Sequence, residues 1–178
     1  MNATIQNIDV LDLPTDVLVY STNVLLNCSG GVGACLVKRY GKHVQDDLHS
    51  LLHDQDTRFA PRGSIFQLVS TGMPYSKVFH VVPSDGFYNT TSEIVADILR
   101  RCLRECLQDP AIRSIALSAL ATGYGHLEFD EFFRIASTVF AEEEFAAIES
   151  VTICICDEYS YNLAKNLILE EKLFLKEA

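Results

Sequence analysis

Apolar, β-rich runs alternate along this chain with longer stretches of helical period, and that alternation restricts the fold more than any other feature. The runs lie at 4–10, 17–22, 64–69, 77–82, 114–119 and 150–156. VLVY, VFHVV and VTICIC are continuous rather than two-sided, as expected of strands covered on both faces. Helices are expected between them, first at 31–40 and then at 43–53. A third opens at Thr90-Thr91-Ser92-Glu93, which has the spacing of a capping box, and ends at Asp109-Pro110. Its apolar face is Ile94, Ile98, Leu99, Cys102, Leu103 and Cys106. A fourth buries Phe129, Phe132, Phe133, Ala136, Val139 and Phe140, and the last runs from an Asp157 cap through Leu163, Leu167 and Ile168. Strands alternating with helices predict a largely parallel sheet with helices on both faces.

In such folds ligands bind where loops leave the C-terminal strand ends. Two loops after expected strands are unusual, 23–33 and 121–126. The first carries Ser29-Gly30-Gly31-Val32-Gly33 into a helix. Glycine lets the backbone approach a ligand closely, and the free N–H groups of a helix start attract anions. A tight helix entry without a ligand would use the same residues. The second, Ala121-Thr122-Gly123-Tyr124-Gly125-His126, places two glycines around a Tyr. That suits a phosphate clamp with an aromatic wall, or a plain structural turn.

Composition decides what such a cleft accepts. The formal charge of −10 excludes a broad electrostatic grip on nucleic acid, which needs a basic face. A pyrophosphate is still within reach, because main-chain amides hold it without cations. The 178 residues fit one domain, and no apolar run approaches the roughly 20 residues of a membrane span. The opening MNATIQNID has neither a basic nor an apolar signal region, and the six cysteines lack CxxC spacing. A reduced cytoplasmic setting is therefore expected, with a nuclear one also compatible.

Taken in order, the segments resemble the macro domain family over nearly the whole chain. Ile8-Asp9-Val10-Leu11 looks like the family's early strand and its Asp. Val19-Tyr20-Ser21-Thr22-Asn23 is similar to its VNAAN segment, Ser29-Gly30-Gly31-Val32 to its GGGV loop, and Ala121-Thr122-Gly123-Tyr124-Gly125 to its GTGxG loop. Arg62-Gly63-Ser64-Ile65-Phe66 and Val78-Phe79-His80-Val81-Val82 match its middle strands. The resemblance implies a single 1–178 domain, an αβα three-layer sandwich about a mixed, mostly parallel sheet of about six strands. It also implies a module that takes ADP-ribose, or an ADP-ribosylated protein, with no cofactor and no metal, acting as a monomer. Asp9 would accept from the adenine amino group beside Val10, and Asn23 would bond the distal ribose. Amides of Gly30, Gly31 and Val32 on one side, and of Thr122, Gly123, Tyr124 and Gly125 on the other, would clasp the phosphates, with Gly33 and Ala121 also counted in the ligand site.

The pattern departs where the family does chemistry. The Asp that follows the glycine loop in its hydrolytic branch is replaced by Gly33 and Ala34, neither of which transfers protons. A second branch uses a Lys and a loop Asp, and neither is matched. A hydrolase would thus rest on Asn23 positioning water, as an alternative to binding alone. Cys156 stands where an aromatic often stacks on adenine, with Tyr159 or Tyr161 as substitutes. Cys28 is either a helix-activated thiol or a small loop residue, and His126 either acts near phosphate or faces solvent. His49 and His53 have metal-compatible spacing but no third ligand, and read as a solvated face. His80 is expected in the core. Gly31-Val32-Gly33 also fits part of a dinucleotide-binding turn, but Leu36 holds its third glycine position.

Overall fold

The computed structural model describes residues 1–54, 56–68 and 72–178. Its elements are β1 (Asn2–Gln6), β2 (Val17–Ser21), α1 (Gly31–Tyr40), α2 (His43–Asp54), β3 (Ile65–Leu68) and β4 (Lys77–Val81). There follow α3 (Ser92–Leu107), β5 (Ser114–Ser118), α4 (Phe129–Phe140), a single 3-10 turn (Glu143–Phe145), β6 (Ser150–Cys154), α5 (Glu158–Glu171) and β7 (Lys176–Glu177).

The strands form one sheet in the order β3-β4-β2-β5-β6-β1-β7. Every neighbouring pair is parallel except β3 with β4. The sandwich is visible in the alternation along β2. Val17 and Val19 join the cluster made with α3, α4 and α5, whereas Leu18 and Tyr20 join Leu36 of α1 on the other face. A third cluster sets Leu48 and Leu52 of α2 against Phe66 of β3. Burial on both faces is why these strands read as unbroken apolar runs.

Four expectations need correction. The first strand ends at Gln6, and 8–10 lie beyond it. The cause is Asp9, whose Oδ1 accepts from Leu11 N at 2.9 Å while its carbonyl accepts from Asp12 N at 2.9 Å, closing a turn. The sheet has seven strands rather than six, because Lys176–Glu177 pairs with β1. Helix α3 is capped by Thr91, which accepts from Ile94 N at 3.4 Å. Thr90, the residue at capping-box spacing, instead donates its hydroxyl to Pro83 O at 2.6 Å. On the same helix Val95, not Ile94, is fully buried. Residue 69, the last of the expected third strand, lies outside the described residues.

Candidate functional site

Loops following β2, β4, β5 and β6 surround a cleft of about 800 Å³ over the C-terminal ends of these four adjacent strands. It is lined between residues 20 and 33, 83 and 88, 118 and 129, and 154 and 160. This is the position the alternating topology dictates, since right-handed crossovers bring every such loop to one edge.

The loop after β2 is built around Asn23. Its Oδ1 accepts from Leu25 N at 3.0 Å and from Asn27 N at 3.1 Å, and its Nδ2 donates to Asn27 O at 2.8 Å. These bonds hold Leu26 in the left-handed region, at φ 53. From behind, Gln45 of α2 accepts from Cys28 N at 2.6 Å and donates to Leu26 O at 2.8 Å. His49 contacts Asn27 Oδ1 at 2.9 Å. The loop then enters α1 through Gly30, with no side-chain cap and no acid in the first turn. The amides of Gly30, Gly31, Val32 and Gly33, all lining the cleft, donate to no acceptor among the described residues. An uncapped helix start carries partial positive charge, so this edge of the cleft favours an anion.

The loop after β5 supplies the facing edge. Ala121 sits at φ 61, held by its N–H donating to Ser21 Oγ at 3.2 Å. Its carbonyl presses on Gly125, where a Cβ would fall 2.3 Å from the oxygen, so only glycine closes this turn. The amides of Thr122, Gly123, Tyr124 and Gly125 likewise donate to no acceptor among the described residues. The two edges meet: a Cβ on Gly30 would lie 3.3 Å from Cε2 and Oη of Tyr124.

A third wall, 83–89, was not anticipated. Asp85 Oδ1 accepts from Phe87 N and Asn89 N, both at 2.9 Å, and Tyr88 is held at φ 66. His126 N donates to Tyr88 O at 3.0 Å, tying this wall to the loop after β5. The run Pro83-Ser84-Asp85-Gly86 is turn-forming, and that was the available signal. Thr22 Oγ1 and Ser84 Oγ are buried beside the cleft without a hydrogen-bond partner among the described residues. Asp85 and Asp157 are the charged residues that line the cleft, with no Lys or Arg among the described ones. The Asn89 amide holds the Asp85 carboxyl below its ordinary range, and the Ser160 amide does the same for Asp157. Among the described residues, then, a grip on an anion here uses amides and hydroxyls rather than side-chain cations.

The expected site residues divide accordingly. Asn23, Gly30–Gly33, Ala121, Thr122, Gly123, Tyr124, Gly125 and Cys156 all line the cleft. Asp9 and Val10 do not; Val10 is buried in the core cluster of α1. Asp9 still acts on Cys154, which lines the cleft and whose thiol is pushed up to about 12 by burial and by that carboxylate. Tyr159 and Tyr161 are outside the cleft; Tyr161 donates to Glu177 at 3.2 Å. Cys28 is no activated thiol, because burial raises its pKa. His126 faces solvent, and His80 is wholly buried, 2.5 Å from Tyr20 Oη. At Gly33, where the sequence lacks the family's acid, a Cβ would sit 3.1 Å from the Cys28 backbone and 3.5 Å from the Tyr20 ring, a tight fit.

Comparison with known proteins bears on this geometry. The Oceanobacillus iheyensis macrodomain with ADP superposes with a TM-score of 0.82 at 20% identity, covering 95% of this chain and 92% of its own. The Trypanosoma brucei macrodomain in complex with ADP-ribose gives 0.75 at 20% identity, covering 92% and 68%. A macro domain-containing protein of Streptomyces griseus is 26% identical over 156 residues, which is 86% of either chain. The sequence profile described as Macro domain matches residues 19–136. With a match over most of its length, joined to this sheet order and this cleft, the chain belongs to the macro domain family.

Proposed function

We propose that the cleft binds ADP-ribose, free or as an ADP-ribosyl group on a larger molecule. The observation that carries this is the pair of amide rows, 30–33 and 122–125, which have no partner among the described residues and line a cleft without lysine or arginine among them. Such rows suit a diphosphate, whose oxygens accept from many N–H groups at once. The relatives with ADP and ADP-ribose bound support the same ligand class.

In this reading the adenine lies at the β6 end, between Cys154, Cys156 and Ser160, where the Asp9 carboxylate is felt by Cys154. The distal ribose lies at the β4 end, near Asn23. That side chain spends its oxygen and one N–H on the loop, leaving one N–H for a ribose hydroxyl. Hydrolysis has less support, because Asn23 is committed to the loop and neither Gly33 nor Ala34 carries a side chain that transfers protons.

Titration calorimetry with ADP-ribose tests the proposal. A saturable one-to-one isotherm is expected, and the absence of heat at roughly 1 mM ligand would remove it. Gly31→Glu puts a carboxylate at the uncapped helix start. Nothing lies within 4 Å of a Cβ there, but the backbone is left-handed at φ 52 and strains any side chain, so Gly31→Ala beside it separates the backbone effect from the charge. Gly31→Glu should weaken binding by about 100-fold, equivalent to about 2.7 kcal/mol.

A further inference from the structure

Nine large hydrophobic residues are exposed among those described: Leu25, Phe59, Phe87, Tyr88, Tyr124, Tyr159, Leu163, Leu169 and Phe174. Single exposed apolar residues are ordinary on any protein surface, whereas contiguous ones mark a contact surface. The first five stand on loops that touch one another around one mouth of the cleft. Ala60 N donates to Val24 O at 2.7 Å, which sets Phe59 beside the Val24-Leu25 step. A Cβ on Gly86 would lie 3.8 Å from Val24, which brings Phe87 to the same place. The Tyr88 and Tyr124 rings are 6.2 Å apart, and Tyr124 reaches across to Gly30. Phe87 is 81% exposed and Tyr124 74%, so the rim is held open to solvent by loop bonds rather than folded inward.

This mouth is the β4 end, where the reading above puts the distal ribose and whatever is joined to it. We infer that the aromatic rim is a docking surface for the polypeptide carrying the ADP-ribosyl group, so that the cleft and the chain next to the modified residue are recognised together. This rests on ADP-ribose binding in the cleft. Charge selects the class of partner. A nucleic-acid strand would also stack on these rings, but it needs a positive groove along its backbone. The protein carries −10, and the charged residues lining the cleft among those described are acids. Of the arginines at the rim, Arg62 is engaged by Asp85 at 3.9 Å and by Asn89 O at 3.3 Å, so exposed Arg58 beside Phe59 makes a single positive point and not a groove. A neutral or basic polypeptide with apolar residues fits such a surface.

Phe59 and Phe87 do not line the cleft, which separates the two contributions. The test compares free ADP-ribose with a short peptide bearing one ADP-ribosylated serine between Lys and Leu residues, by calorimetry on the intact chain and on a Phe59→Ser, Phe87→Ser double variant. The peptide is expected to bind about 10-fold tighter than the free ligand, a gain typical of a few exposed aromatic anchors. The double variant should lose that gain while keeping its affinity for free ADP-ribose. Equal affinities for peptide and free ligand, or a gain that survives the double variant, would overturn the inference and leave ADP-ribose binding standing. Tighter binding of a single-stranded oligonucleotide carrying the same group would overturn it in favour of nucleic acid. Dimerisation in sedimentation that the double variant abolishes would overturn it in favour of a second copy of this chain. Failure to bind free ADP-ribose at all would remove the underlying reading together with it.

Discussion

At the scale of residues, the cleft depends on a few positions where no side chain fits, and these are not interchangeable among the glycines. Gly125 and Gly123 share one loop, yet a Cβ on the first meets Ala121 O at 2.3 Å while the second has open space around it. The carbonyl is main chain and cannot swing aside, so Gly125→Ala must reshape the turn. We expect it to lose about 1–3 kcal/mol of stability and about 10-fold in ADP-ribose affinity, with Gly123→Ala unchanged in melting temperature. Thermal melts of the two variants beside the parent check this, and equal melting temperatures would refute it. The glycines were visible in the sequence, but which of them is irreplaceable was not, since that depends on where one carbonyl points. Asn23 shows the same division. Its position at a strand end was legible, whereas its three bonds into the loop required the loop's conformation.

At the scale of elements, the strand ends opposite the cleft are tied together by Asp16. Its Oδ2 accepts from Arg113 N, Ser114 N and Ser114 Oγ, each at 2.9 Å, and its carbonyl accepts from Ser76 N at 2.8 Å. One residue thus sets the starts of β2, β4 and β5 relative to one another, and the loops that leave their far ends inherit that register. Burial acts to raise its pKa, but these three bonds outweigh it and the net shift is downward. A carboxyl depressed in the folded state stabilises above its ordinary pKa of about 4 and loses that contribution as pH falls through the lower folded value. Asp16→Asn, which removes the charge and part of the accepting capacity, should cost about 1–3 kcal/mol near neutral pH. Urea unfolding at pH 7 and again at low pH checks it: the deficit should shrink in acid. A deficit independent of pH would show that the carboxylate's charge is irrelevant. Nothing in the local sequence around Asp16 distinguishes it from a solvated loop acid, because the partners of its carboxylate lie 97 and 98 residues away.

At the scale of the whole molecule, the core holds a titratable group without a charge. His80 is fully buried in β4, and burial lowers its pKa from 6.5 to about 3. Between those values the unfolded chain binds a proton that the folded chain refuses, so stability rises with pH until it levels off near 6.5. The slope should approach about 1.4 kcal/mol per pH unit in that window. His80→Gln should flatten it while lowering stability at pH 7, since Tyr20 loses its partner at 2.5 Å. Melting followed from pH 7.5 to 4.5 on both proteins, on the order of six steps, reads this directly. Identical slopes would contradict a neutral buried imidazole. Above about pH 4 only the His80 effect of the two acts, so the melts between about pH 4.5 and 6.5 read it apart from Asp16.

Periodicity and glycine placement were enough to determine the layer architecture, the parallel sheet and the two loops that face the cleft, because each is encoded by residues close together in the chain. Strand order, the seventh strand, the wall at 83–89 and the meeting of Tyr124 with Gly30 were decided only by tertiary structure. The physical reason is that these features join segments remote in sequence, and their energies depend on contacts that exist only once β4, β2, β5 and β6 stand side by side. A chain pattern specifies which face of a strand is apolar; it carries no term for which loop will lie against which.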